Sequence, residues 1–295
     1  MTHTKISIFT SIACLLLVVG TSCSSDYTEY EGPNHIMFST ERYDLGVIDS
    51  EEWFEIPVSA MRPTDKEQRV GVEIITDKTS AIEGLHFDIE QSTIAIPAGK
   101  LRTAVRVKGY PENIDITEDL VITLRLVIDK ELEWNGGAME TEIHLRKCCP
   151  TSTDMFTGYC KVTSTWIMQY MNADARLVRT ELDPENENSI IVRDLFYEGY
   201  DLGITLNTED RLSPTVEIEE TVIGSTGEAF GTIYGNGKLM MSSAMGYTSI
   251  FSSCERYMML YSTIYVEEVG TVGTYVHIFE WISDAEAERI INEGF

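Results

Sequence analysis

Aromatic side chains at even spacing are the residues of this chain best suited to binding. Tyr257, Tyr261 and Tyr265 recur at intervals of four, and Tyr275, Phe279 and Trp281 follow with the same parity within their own segment. Such an array could stack on sugar rings or enclose an apolar ligand, or it could equally be the core of a barrel. Glu217, Glu219 and Glu220 with Asp201 are acids of the kind that glycoside hydrolysis needs, provided the fold brings two of them to the right separation. Gly235-Asn236-Gly237-Lys238 is followed by Leu239, so it lacks the hydroxyl of a phosphate loop and reads as the turn of a tight hairpin. No Gly-x-Ser-x-Gly or His-Glu-x-x-His is present, and His35, His86, His144 and His277 fall in separate segments. No cofactor is expected.

Those segments are strands. Phe54, Ile56, Val58 and Ala60 alternate with Glu55 and Ser59; Val70, Val72 and Ile74 repeat the period, as do Ile94 with Ile96, and Leu101, Thr103, Val105 and Val107. Leu120 to Ile128 is the longest run, and Ile143 with Leu145 closes the series. Period two without intervening helices predicts an immunoglobulin-like β-sandwich over 34–147. Proline and polar residues then mark a linker over 148–154. In 155–295 the strands around Tyr261 and His277 are apolar on both sides, aliphatic on one and aromatic on the other, which predicts a β-barrel-like or closed-sheet domain. Ser283-Asp284-Ala285-Glu286 has capping-box spacing ahead of Ala287, Ile290 and Ile291, so the all-β chain ends in one short helix.

Lys5 followed by the apolar run Ile6–Val19 predicts a signal peptide over 1–22, too short to span a membrane permanently. Val18-Val19-Gly20-Thr21-Ser22-Cys23 resembles the bacterial lipoprotein box, with Gly20 where that box usually has Leu. The resemblance implies acylation of Cys23, membrane attachment through it, and a polar tether over 23–33; a plain secretory signal is the alternative. Ser24, not Asp, follows Cys23, which by resemblance to lipoprotein sorting rules implies the outer membrane, and the acidic residues just after it resemble the export signals of surface lipoproteins in anaerobic gut bacteria. Together they imply an outer-membrane lipoprotein displayed at the cell surface, or one facing the periplasm.

Export makes disulfides possible. Cys148, Cys149, Cys160 and Cys254 allow three pairings, and because a vicinal bridge is strained, one from Cys148 or Cys149 to Cys160 or Cys254 is favoured over it. Reduced, buried thiols are the alternative. The absence of Cys-x-x-Cys argues against zinc. With 48 acidic against 22 basic residues and a net charge of −26, the chain repels polyanions, so nucleic acid is set aside as a partner.

Gly84, His86 and Phe87, then Ile94-Ala95-Ile96-Pro97-Ala98-Gly99-Lys100 and the strand to Val107, resemble a Calx-beta domain, and Glu118-Asp119-Leu120 matches the acidic start of its penultimate strand. Some members of that family bind calcium, and by resemblance Glu83, Asp88, Glu112, Asp115, Glu118 and Asp119 would be the ligands. However, Gly109-Tyr110-Pro111-Glu112-Asn113 stands where the calcium binders carry consecutive aspartates, which favours a solvated loop with no metal. The reading as a whole is a non-catalytic, lipid-anchored envelope protein that binds or adheres to a protein or glycan. A carbohydrate-binding accessory of a polysaccharide-uptake system and a hydrolase with unidentified acids are the alternatives.

Overall fold

The computed structural model describes residues 31–133 and 137–293; the expected signal peptide, Cys23 and the tether up to residue 30 lie outside the described residues. Alternation of apolar and polar residues builds two facing sheets first. One has the order β1 (Ile36–Phe38), β3 (Phe54–Ala60), β7 (Arg102–Gly109), β5 (Phe87–Ile89). The other runs β2 (Arg42–Val47), β9 (Glu140–Lys147), β8 (Leu120–Val127), β4 (Gln68–Ile74), β6 (Thr93–Ile96). All neighbours are antiparallel except β2 and β9, which pair in parallel from Arg42↔Glu142 to Val47↔Lys147. Ile56, Val58, Val105, Ile122, Leu124 and Ile143 are completely buried between the sheets. Leu101 departs from the expected pattern: it precedes β7 and is exposed.

The remaining strands close on themselves. Pairing runs β10 (Gly158–Ser164), β11 (Arg176–Leu182), β12 (Ser189–Arg193), β13 (Leu202–Asn207), β14 (Thr215–Glu217), β17 (Ile250–Ser252), β18 (Tyr257–Val266), β19 (Gly270–Trp281) and back to β10, an eight-strand barrel. Two further strands, β15 (Thr221–Ser225) and β16 (Lys238–Ser243), extend the sheet from the second half of β18. Closure leaves one interior, so every strand buries alternate residues there: Val162, Ile190, Ile204, Leu260 and Phe279 are fully buried.

Asn236-Gly237 does turn the chain, with Gly235 and Gly237 at positive φ, but it is not a tight hairpin. Between β15 and β16 lies a helix, α1 (Thr226–Phe230), which the pattern of apolar residues did not suggest. Ser225 accepts from the Glu228 N–H at 3.1 Å while the Glu228 carboxylate takes the Ser225 N–H, a complete capping box. The expected C-terminal helix, α2 (Asp284–Glu293), is present, and Ser283 accepts from Glu286 N at 3.2 Å. Of its apolar stripe only Ala287 is buried; Ile291 is exposed.

Sandwich and barrel meet end to end. Arg211 of the β13–β14 loop pairs with Glu52 at 3.0 Å and Cys148 donates to the Arg211 carbonyl at 3.3 Å. The chain enters at the sandwich's opposite end, where Met61 N–H donates to His35 O at 2.9 Å and Arg62 N–H to Asn34 Oδ1 at 2.8 Å, beyond the last residue of β3.

Candidate ligand-binding face

The register of β18 against β19 decides where each aromatic candidate points. Tyr261 sits opposite Val276 and Tyr257 opposite Glu280, whereas Phe279 sits opposite Met258 and Tyr275 opposite Ser262. Paired residues share a face. Tyr257, Tyr261 and Tyr265 are therefore half-buried on the outside of the barrel, and Tyr275, Phe279 and Trp281 are buried inside it. The expectation of a single aromatic face is corrected: six rings divide three and three between opposite faces, because the odd-numbered residues of β18 from Tyr257 to Tyr261 pair with even-numbered residues of β19.

The inner three are structural. Phe156 packs edge-on to Trp281 with ring centroids 4.9 Å apart and to Phe251 at 5.3 Å. The Trp281 indole donates to Thr180 Oγ1 at 2.9 Å. Tyr275 lies at the other end of the barrel against Trp166 at 5.2 Å, and its burial, with Tyr170 alongside, raises its phenol far above the usual range. Between these groups His277 is fully buried; Ser164 Oγ and Ser262 Oγ each lie 2.7 Å from one of its ring nitrogens. Burial lowers His277 to about 3, so the imidazole is neutral.

The outer three gain a partner that spacing along β18 did not reveal. The loop between β16 and β17 folds over the strand, held by Ala244 N–H to Tyr261 O at 3.1 Å and by Tyr261 N–H to Ser249 Oγ at 2.9 Å. This places Tyr247 on Tyr261, with rings stacked 5.1 Å apart at 24°. Tyr247 is 59% exposed and its neighbour Met245 89%. The Tyr261 hydroxyl donates to Met259 Sδ at 3.1 Å, and Met259 pairs with Ile278 on the same outward face. At the far end of β18, burial pushes the Tyr265 phenol up to about 12, assisted by the Glu220 carboxylate.

The other candidates are placed elsewhere. Asp201 is bound to Arg193 and to the Asp194 N–H, away from the small cleft that Glu219 and Glu220 line with Asp183. Asp88 takes the Tyr110 hydroxyl at 2.5 Å, Asp119 lies 2.9 Å from His144 Nδ1, Asp115 caps Thr117, Glu118 accepts from Asp115 N–H, and Glu83 is exposed. Among the described residues no three His, Cys, Asp or Glu side chains converge as a metal site would require. Cys149 is bonded to Cys254, while Cys148 and Cys160 are free thiols. Burial raises both thiols, Cys160 far beyond the usual range.

The sequence profile of the family described as "Domain of unknown function (DUF4984)" matches residues 137–293. The chain belongs to this family. The DUF4984 segment contains β9, the whole barrel, both helices and all the tyrosines of the outer face. No curated protein matches the chain. Among solved structures it is similar to the CBD1 domain of Calx, with 17% identity over 39% of this chain and 98% of that one, TM-score 0.33. It is also similar to a protein of unknown function from Bacteroides ovatus, at 7% identity over 83% and 89% of the two chains, TM-score 0.33. A third is an auxiliary nutrient binding protein from Bacteroides thetaiotaomicron, at 15% identity over 82% and 90%, TM-score 0.32.

Proposed function

We propose that this DUF4984 protein is a non-catalytic, lipid-anchored binding module of the bacterial outer membrane, and that the outer tyrosine face of its barrel stacks on the rings of a glycan. The observation that carries this reading is the exposed Tyr247 stacked on the half-buried Tyr261, with Tyr257 and Tyr265 on the same side of β18. An aromatic surface suits a ligand with an apolar face and a polar rim, and a sugar ring has both. The loop that carries Tyr247 is held to β18 by Ala244 N–H to Tyr261 O and by Tyr261 N–H to Ser249 Oγ, which limits the conformational freedom lost on binding. The sandwich then serves as a spacer, because the chain enters it at the end away from the barrel. Full-length protein on a glycan array is the test. Binding that drops at least tenfold in Tyr247→Ala and Tyr261→Ala while both variants stay folded would support the reading; glycan binding indifferent to both would refute it.

A protein partner is the second reading. The barrel rim remote from the sandwich exposes Ile233 (77%), Val269 and Tyr234 together, with the 231–237 loop packed on the β18–β19 turn.

A further inference from the structure

Where the sandwich meets the barrel there is a cleft of about 330 Å³, and its lining opposes the charge of the whole molecule. Arg146 and Lys147, the last residues of β9, form one side; Arg211 comes from the barrel loop opposite. No aspartate or glutamate lines the cleft, in a chain with 48 acids and 22 bases. Both guanidiniums act on one point, since Arg146 and Arg211 each favour the thiolate of Cys148 against its burial, with Asp210 opposing them more weakly. Their charges are only partly compensated. Arg211 pairs with Glu52 at 3.0 Å and Arg146 with Asp44 at 3.4 Å, but Arg146 Nε is buried without a hydrogen-bond partner. Lys147 makes no ion pair within 4.0 Å among the described residues; the nearby Asp115 is held low by Thr117 first and by Lys147 last. Ser213 also lines the cleft, and the Cys149–Cys254 bridge fixes one wall.

Tyr257 borders the same cleft and is also the first tyrosine of the outward file on β18. We propose that the cleft is an anion subsite adjoining the tyrosine face, taking the carboxylate or sulfate of an acidic sugar; the identification of the anion's carrier as a sugar rests on the stacking reading above. A buried donor that lacks a partner, Arg146 Nε, favours an anion here, and charge-assisted bonds from arginine and lysine to carboxylate or sulfate are the strong ones. The cleft also gives an otherwise repulsive protein a place for such a ligand, and binding must weaken as salt screens it.

The test titrates full-length protein with glucuronate, inorganic sulfate and glucose at matched ionic strength, read by calorimetry and by melting temperature. Lys147→Gln is the informative variant, because it removes a charge without breaking an ion pair; Arg69→Gln, at an exposed site far from the cleft, is the control. We expect glucuronate or sulfate, and not glucose, to bind and raise the melting temperature, with at least a tenfold loss in Lys147→Gln, none in Arg69→Gln, and weakening in added salt. The glucuronate and sulfate arms distinguish the two anions. Anion binding that is absent, or equal in parent and Lys147→Gln, overturns the subsite. Tyr261→Ala leaves these small anions bound, so failure of ring stacking on neutral glycans is scored separately.

Discussion

Cys149 and Cys254 are bonded with their Cα atoms 5.2 Å apart, tying the segment that leaves the sandwich to the turn before β18, 105 residues later. Thr151 Oγ1 lies 2.5 Å from Ser253 Oγ beside it, so the junction is fastened by two side-chain links in succession. A cross-link closing a loop of that length removes much of the unfolded chain's freedom, typically about 2–4 kcal/mol. The double variant Cys149→Ala with Cys254→Ala should therefore unfold at lower urea than the parent, with a loss in that range. Coincident urea curves would show that the bond does not stabilise the fold.

Protonation of His277 should set the first acid-sensitive step. The folded protein holds the imidazole at about 3 against an ordinary 6.5, so the unfolded chain takes up the proton first as acid is added. The stabilisation is complete above about pH 6.5 and is lost progressively as pH falls toward 3. Depressed carboxylates such as Asp44, bonded to Arg42, and Glu140, bonded to Lys78 and Arg125, contribute only from their ordinary values of 3.8 and 4.5 downward. Melting temperature measured between pH 7 and 5 should therefore fall, and the slope should flatten in His277→Phe. That variant should also cost about 1–3 kcal/mol at pH 7, because Ser164 and Ser262 lose their ring partner. An unchanged slope between pH 7 and 5 would exclude His277 as the cause.

Trp281 and Tyr261 stand on strands that pair with each other, yet their truncation should have opposite consequences. Trp281→Ala empties a site packed against Phe156 and leaves Thr180 without its indole donor, a loss of about 3–5 kcal/mol. Tyr261→Ala removes a half-exposed ring outside the barrel and should cost about 1 kcal/mol or less while abolishing ring stacking. Chemical unfolding of the two variants in parallel checks this, and similar losses would contradict the division into faces.

Gly109 makes a core prediction for the sandwich. A Cβ there would lie 2.6 and 2.7 Å from the two terminal carbons of Val47, which is fully packed. Gly109→Ala should destabilise by about 1–3 kcal/mol, and adding Val47→Ala should recover part of the loss. A neutral Gly109→Ala in a thermal melt would rule out the close approach of β2 and β7.

Period-two alternation made the strands legible from Phe54 to Leu145 and again in β18 and β19, since burial on one side imposes it directly. It did not make the face of Tyr261 legible. Met258, Leu260, Ile264 and Val266 on one side and the tyrosines on the other are both apolar enough to be a core, and only pairing against β19 chooses. The Ser225–Glu228 capping box was readable, but α1 has five residues bounded by Gly231 and so carries no helical period. Nor could spacing select Cys149 over Cys148 or Cys254 over Cys160. Cys160 is buried on the inner face of β10, and the Cys148 thiol fills the space that the missing Cβ of Gly46 leaves. Both reasons are tertiary, as is the meeting of Arg146 with Arg211 in one cleft.

Acylation of Cys23 would fix which end of the molecule faces the membrane. Residues 34–36 enter at the sandwich end marked by Met61 and Arg62, and the seven residues of β3 separate that end from the barrel junction by about 23 Å at ~3.3 Å per residue. The barrel lies beyond, and its tyrosine face runs along β18 from the junction outward. An anchored chain should thus hold its tyrosine face at least a sandwich length from the bilayer. Cells given an alkyne-tagged fatty acid should label the parent protein and not Cys23→Ala, which should move to the soluble fraction. Protease added to intact cells should remove the barrel if the protein is displayed outside. A parent protein that takes up no label and fractionates as soluble would defeat the anchor, and a labelled protein shielded from protease would place the same face in the periplasm.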